Sequence, residues 1–299
     1  MRRILVPLDE SLLAESILPV AEEWAKEDEA EVVLLRAVPA RDGRASADAR
    51  AERQAVEEGE AYLNSIAERL ERRGLQQVRV AVSVRDPVTA ITEAAVLNGV
   101  DLIAMATHGR GGLSRHLLGS VAAGVVGAAE IPVLLMRGQS AWKAWATRKV
   151  LVPLDGSELS EGILPVVERV AGPRDLTVTL LQVLEPLPSA VLQGGASIRL
   201  DEWVAERRRD SEQYLIKTAE PLREKALRVV SAVTSGTPAQ AIATYAAQER
   251  VDLIVMATHG RSGLQRLVFG SVAEGVLRSA AVPVLLFKRA SQPGKERGT

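Results

Sequence analysis

Cysteine is absent from the 299 residues, which excludes disulfides, thiolate metal sites and thiol nucleophiles. Histidine occurs only at His108, His116 and His259, too few for a histidine-rich metal centre. Aromatic residues make up 3%, so a core must be built from Val, Leu, Ile and Ala. There is no excess of charge of one sign. The formal net charge is −1, which argues against a general electrostatic grip on nucleic acid or an anionic membrane. The longest apolar stretch, Val121 to Met136, is interrupted by Glu130 and Pro132 and is too short to span a bilayer. The opening "MRRILVPLDE" reaches an acidic residue before an apolar signal region can form. The expectation is a soluble, cytoplasmic chain with no nucleic-acid or membrane partner.

Several motifs are also missing. No GxxxxGK[ST] phosphate loop occurs, and "GRGG" after the fourth strand of the first half is not a GxGxxG dinucleotide fingerprint. Nothing matches a nucleophile elbow or a hydrolase triad. The turn "PLDESLL" lacks the HxGH-type signature of adenylyl transferases. No catalytic residue and no protein-borne metal site is therefore named.

What the chain does contain, it contains twice. Its length suits two domains, and 47% hydrophobic with 25% charged residues is an ordinary globular mix. "ILVPLD" at Ile4–Asp9 returns as "VLVPLD" at Val150–Asp155. "MATHGRGGLSRHLLGSVA" from Met105 returns as "MATHGRSGLQRLVFGSVA" from Met256. A period near 150 residues is too long for a solenoid and marks a duplicated domain. The boundaries drawn are 1–138 and 149–290, with a linker at 139–148 and a disordered tail at 291–299. The second copy carries a small insertion, assigned to "PLPSAVLQGGASIRLDEW".

Within a copy, short apolar runs alternate with amphipathic stretches. "RRILVPL", "AEVVLLRAV", "QVRVAVSV", "VDLIAMAT" and "PVLLMR" read as strands. "SLLAESILPVAEEWAKE", the long charged stretch ending at Gly74, "DPVTAITEAAVLNG" and "GSVAAGVVGAA" read as helices. Five alternations predict an α/β fold, each copy a five-stranded, mostly parallel sheet with helices on both faces. Such sheets take ligands beyond the carboxyl ends of their strands, where the strand order reverses.

The repeated string lies at that end. Gly119-Ser120 and Gly270-Ser271 open a helix whose unpaired N–H groups suit a phosphate. Gly109 and Gly260 stand where the chain leaves the strand, and Arg110 and Arg261 can face an anion. Met105, Ala106, Met256 and Ala257 lead into the loop. Asp9 and Asp155, ending "VPLD", suit either ribose hydroxyls or capping of the next helix with Ser11 or Ser157. His108 and His259 read as turn residues.

The string resembles the nucleotide loop of universal stress proteins, G-x2-G-x9-G-[ST], with alanine at the first position in both copies: Ala106-x2-Gly109-x9-Gly119-Ser120 and Ala257-x2-Gly260-x9-Gly270-Ser271. The resemblance runs from "ILVPLD" through "PVLLFKR" and implies two tandem Rossmann-like (HUP-type) domains with strand order 3-2-1-4-5. It also implies ATP, with Mg2+, across the ends of the first, second and fourth strands. Carried over by position, Pro7, Leu8, Asp9 and Ala37 would line adenosine in the first copy, and Pro153, Leu154, Asp155 and Val183 in the second. Phosphates would lie on Gly109, Arg110, Gly119, Ser120 and Val121, and on Gly260, Arg261, Gly270, Ser271 and Val272. The last strands would join the copies as an internal pseudo-dimer, with a homodimer beyond that. The family's G-x-P after the third strand survives as Gly236-Thr237-Pro238, whereas the first copy has Arg85-Asp86-Pro87.

The function this implies is an ATP-binding, nucleotide-dependent regulator or sensor in the stress response, not an enzyme. The rival readings are a scaffold that binds no nucleotide, and a slow ATPase or adenine-nucleotide transferase.

Overall fold

The computed structural model describes residues 1–40, 46–107, 119–137, 147–172, 174–186, 197–258 and 270–288. The expected linker, tail and loop residues fall largely outside these ranges. Two compact units form, built mainly on Met1–Ala146 and Thr147–His259. The first contains β1 (Arg3–Pro7), α1 (Leu12–Glu15), α2 (Leu18–Asp28), β2 (Glu31–Val38), α3 (Ser46–Arg72), β3 (Val78–Val84), α4 (Pro87–Leu97), β4 (Leu102–Thr107), α5 (Ser120–Ala128) and β5 (Val133–Arg137). The second copy repeats the order: β6 (Lys149–Pro153), α6 (Glu158–Glu161), α7 (Leu164–Ala171), β7 (Thr177–Leu184), α8 (Ser197–Glu224), β8 (Arg228–Ser235), α9 (Pro238–Gln248), β9 (Leu253–Thr258), α10 (Ser271–Ser279) and β10 (Val284–Lys288).

Strand order is β3-β2-β1-β4-β5 in the first copy and β8-β7-β6-β9-β10 in the second, the doubly wound pattern expected. The inner strands are apolar through their middles because helices cover both faces; Ile4, Leu5 and Val6 of β1 are fully buried, as are Val152 of β6 and Ile254 of β9.

The first helix of each copy departs from the sequence reading. A single amphipathic helix was expected over Ser11–Glu27, and two form, α1 and α2. Pro19 is the cause. It has no N–H for the carbonyl of Glu15 and its ring would clash there, so it is accommodated only in the first turn of a new helix. Pro165 splits α6 from α7 in the same way.

The aspartate of the repeated "VDLI" has a structural task. Asp101 Oδ2 accepts from the backbone N–H groups of Arg2 (2.6 Å) and Arg3 (3.0 Å), tying the foot of β4 to β1. Buried Asp252 does the same for Arg148 (2.7 Å) and Lys149 (2.8 Å). Above this tie β1 and β4 stay in register only at Ile4↔Leu102 and Leu5↔Ile103, whereas β1 follows β2 from Arg3↔Glu31 to Pro7↔Leu35. The bond from Leu8 N to Leu35 O (2.8 Å) prolongs the β2 side. The sheet therefore forks at the switch point, and β6 with β7 and β9 repeats the fork.

The helix that starts beyond the fork is set by a close contact. A Cβ on Gly275 of α10 would lie 2.5 Å from Ala239 Cβ of α9, and one on Gly124 of α5 would lie 2.5 Å from Val88 Cγ2 of α4. Ala239 has no rotamer with which to retreat; Val88 has. We expect Gly275→Ala to lower stability by about 1–3 kcal/mol and Gly124→Ala by less. Urea unfolding of the full chain checks this, and an unchanged Gly275→Ala would mean that α9 and α10 separate freely.

Candidate functional site

Each fork opens into a cleft beyond the carboxyl ends of the strands, of about 210 Å3 in the first unit and 200 Å3 in the second. In the first, the wall is Pro7 at the end of β1 with Leu8 and Asp9 beyond it, Ala37 of β2, Met105 and Ala106 of β4, and Gly119, Ser120 and Val121 at the start of α5. In the second it is Pro153, Leu154, Asp155, Val183, Met256, Ala257, Gly270, Ser271 and Val272. Strands far apart in sequence thus bring every predicted residue with a described position to one of two clefts. Gly109, Arg110, Gly260 and Arg261 lie outside the described residues, as do the three histidines.

Among the described residues the helix starts have no side-chain cap. Gly119 caps α5 in an extended conformation with no side-chain hydrogen bond, and Gly270 does likewise for α10. The carbonyls of these glycines already accept the first intrahelical bonds, from Ala123 and Glu274 (both 3.0 Å). The N–H groups of the first turn have no intrahelical acceptor and face the cleft side with the positive end of the helix dipole. That arrangement attracts an anion.

Asp9 and Asp155 combine both roles considered for them. Asp9 Oδ1 accepts from Ser11 N (3.1 Å) and Oγ (2.5 Å), and Ser11 Oγ in turn caps α1 through Ala14 N (3.0 Å). Asp155 holds Ser157 N (2.9 Å) and Oγ (2.6 Å), with Ser157 Oγ capping α6 through Ser160 N (3.1 Å). One carboxylate oxygen thus organises the turn, and Asp9 Oδ2 accepts no hydrogen bond among the described residues. Partial burial alone would raise the Asp155 carboxyl, but the Ser157 and Ser160 hydrogen bonds outweigh it and hold the group below its ordinary value.

The short helix beyond each aspartate is pinned to the long one. Tyr62 of α3 donates to Glu15 Oε1 (3.1 Å) and Arg69 to Glu15 Oε2 (2.6 Å). Tyr214 of α8 donates to Glu161 Oε1 (3.0 Å). Burial, then the Glu161 hydrogen bond and charge, push the Tyr214 phenol up to about 12, so it stays a neutral donor.

The sequence and the fold are similar to those of known proteins. The family model described as the universal stress protein family matches residues 1–137 and again 146–288. The chain belongs to the universal stress protein family. It is 31% identical over 150 residues to universal stress protein MJ0531 of Methanocaldococcus jannaschii, a match covering 50% of this chain and 85% of that one. It is 28% identical over 206 residues to universal stress protein Rv2005c of Mycobacterium tuberculosis, covering 68% and 66% respectively. In fold it is similar to a universal stress protein from Archaeoglobus fulgidus (TM-score 0.73, 23% identity, 96% of this chain and 98% of that one). A functionally unknown protein from Pseudomonas aeruginosa is also similar (TM-score 0.68, 20% identity, 96% and 92%).

Within this universal stress protein the first-copy departure at Arg85 leaves the cleft intact. Arg85 pairs with Glu93 on α4 (3.2 Å) and is not part of the wall. Asp86 caps α4 by accepting from Thr89 N (3.1 Å). Gly236 keeps a left-handed φ of 140° in the second copy, whereas Arg85 is not among the residues with positive φ.

Some wall residues were not singled out from sequence. Thr107 and Thr258 end β4 and β9, and the buried Thr258 Oγ1 has no hydrogen-bond partner among the described residues. Arg36 lines the first cleft, and Ser160 and Glu185 the second. Arg36 did leave a signal: a charged residue near the end of the otherwise apolar "VVLLRAV". The threonines left none.

A lowered carboxyl contributes stability above its ordinary value of 3.8 and loses it as pH falls through the folded value. Asp155→Asn should therefore lower Tm near neutral pH, with the deficit shrinking as pH drops below 3.8. Ser157→Ala should cost about 1 kcal/mol, the worth of an N-cap. Calorimetry across pH checks both, and a pH-independent Asp155→Asn deficit would assign the loss to packing.

Proposed function

We propose that each cleft is an adenine-nucleotide site and that the chain is a nucleotide-dependent regulator in the stress response. The observation that carries this is the pairing, in both clefts, of a helix N-terminus that has no side-chain cap among the described residues with an aspartate across the fork. The first-turn N–H groups of α5 and α10 would bind phosphate oxygens, helped by the Ser120 and Ser271 hydroxyls. Asp9 and Asp155 would accept from ribose hydroxyls while their other oxygen holds the turn. Thr258 Oγ1, without a partner among the described residues, fits a ligand that completes the second site.

Ala106 and Ala257 replace the first glycine of the motif and add one methyl each to the wall, which narrows the cleft without filling it. Among the described residues no cluster of three or more His, Asp or Glu could hold a metal. Mg2+ would ride on the phosphates, keeping most of its waters. In this reading the chain binds ATP rather than turning it over, because no described wall residue has a geometric case as general base. No helix among the described residues is long and apolar enough to cross a membrane. We further propose two domains at 1–138 and 149–290 that pair through their last strands, a homodimer, and a cytoplasmic location, in keeping with the doubled family match.

The test is to denature the purified protein, separate released nucleotides by anion exchange, and count them per chain. We expect two adenine nucleotides, or a rise in Tm on adding ATP with Mg2+ to stripped protein. Absence of both would overturn the reading in favour of a scaffold.

A further inference from the structure

The two clefts share their backbone plan but differ in charge. Arg36 lines the first, and its counterpart by strand register is Gln182, since Ala37 and Val183 occupy matching positions on β2 and β7. Arg36 Nε donates to Glu10 Oε1 (3.1 Å) and Nη1 to the carbonyl of Ala37 (3.2 Å), which hold the guanidinium at the rim. Glu10 occupies the left-handed turn after Asp9, with φ of 70°, where the second copy has Gly156 at 83°. That conformation disfavours any side chain and suits glycine. The first copy therefore carries both halves of an ion pair, one of them in an unfavourable backbone conformation, and the second copy carries neither half.

The second cleft has the opposite character. Its described wall contains two carboxylates, Asp155 and Glu185, and no Lys or Arg. Ser157 and Ser160 add neutral hydroxyls, and Ser160 stands where the first cleft has Ala14. Gln182 Oε1 is buried without a hydrogen-bond partner among the described residues. The segments 108–118 and 259–269, which lie outside the described residues, have matching Arg110/Arg261 and Arg115/Arg266 in sequence and do not reverse the contrast.

We propose that the two sites are specialised by ligand charge, with Arg36 and Glu185 as the determinants. The first holds the polyphosphate nucleotide, and the second prefers a nucleoside or monophosphate. This rests on the reading of both clefts as nucleotide sites. The Glu10–Arg36 pair is partly exposed, so it is weak in water, and an anion in the cleft can compete with Glu10 for the guanidinium. A cleft with low-dielectric walls makes one such charge worth about tenfold in affinity for a polyanion.

The experiment is calorimetric titration of the stripped full chain with ATP–Mg2+ and, separately, with adenosine. Wild type should show two ATP affinities at least about tenfold apart, with a smaller difference for adenosine. Arg36→Gln, which installs the second copy's own residue type, should weaken the tighter ATP site about tenfold and leave adenosine within about twofold. Arg36→Lys should keep the ATP preference, and Glu185→Gln should tighten the weaker ATP site. Equal ATP affinities, or an Arg36→Gln loss shared by ATP and adenosine, would overturn this inference and leave nucleotide binding standing. No binding of either ligand would overturn both.

Discussion

The carboxylates of Asp101 and Asp252 each accept two backbone N–H groups at the foot of a strand pair that parts company almost at once. The central strand is held to its other neighbour throughout, so the separation is directed and always opens on the same side. Everything of functional interest hangs on that fork. It provides the cleft, it aims the turn carrying Asp9 or Asp155 across it, and it leaves room for a helix to begin at its mouth. Removing the tie would loosen the one place where two strands must be close at one end and apart at the other.

In the proposed reading, the helix at the mouth serves because it is incompletely satisfied. Glycine as N-cap gives the first turn no side-chain acceptor, and the tight approach of Gly275 to Ala239 keeps that turn from sliding. A better-capped helix would be more stable on its own and a poorer anion receptor. The serine-rich caps appear instead on α1 and α6, where Ser11 and Ser157 stiffen the opposite wall.

Strand and helix alternation was readable because apolar runs of strand length and amphipathic stretches are local properties of the chain. The residues of the clefts were readable wherever the repeated string or the "VPLD" turn marked them. What escaped was positional. A proline in the first turn of α2 or α7 looks, in a periodic pattern, like one more residue of a continuous helix. Thr107 and Thr258 read as the ends of buried strands, and only the fork reveals that their side chains border a cavity. Arg36 needed the register of β1 against β2 before its place on the wall was visible.

The fork also has a history in time. The partner that Arg3 N meets at Asp101 lies 98 residues further along the chain. A ribosome adding about 5–20 residues per second takes several seconds or more to deliver it. Until then β1, β2 and β3 can align with one another, but β1 keeps one edge unpaired. The cleft is thus among the last features of its unit to exist, completed only after the sheet on its other side has had time to form.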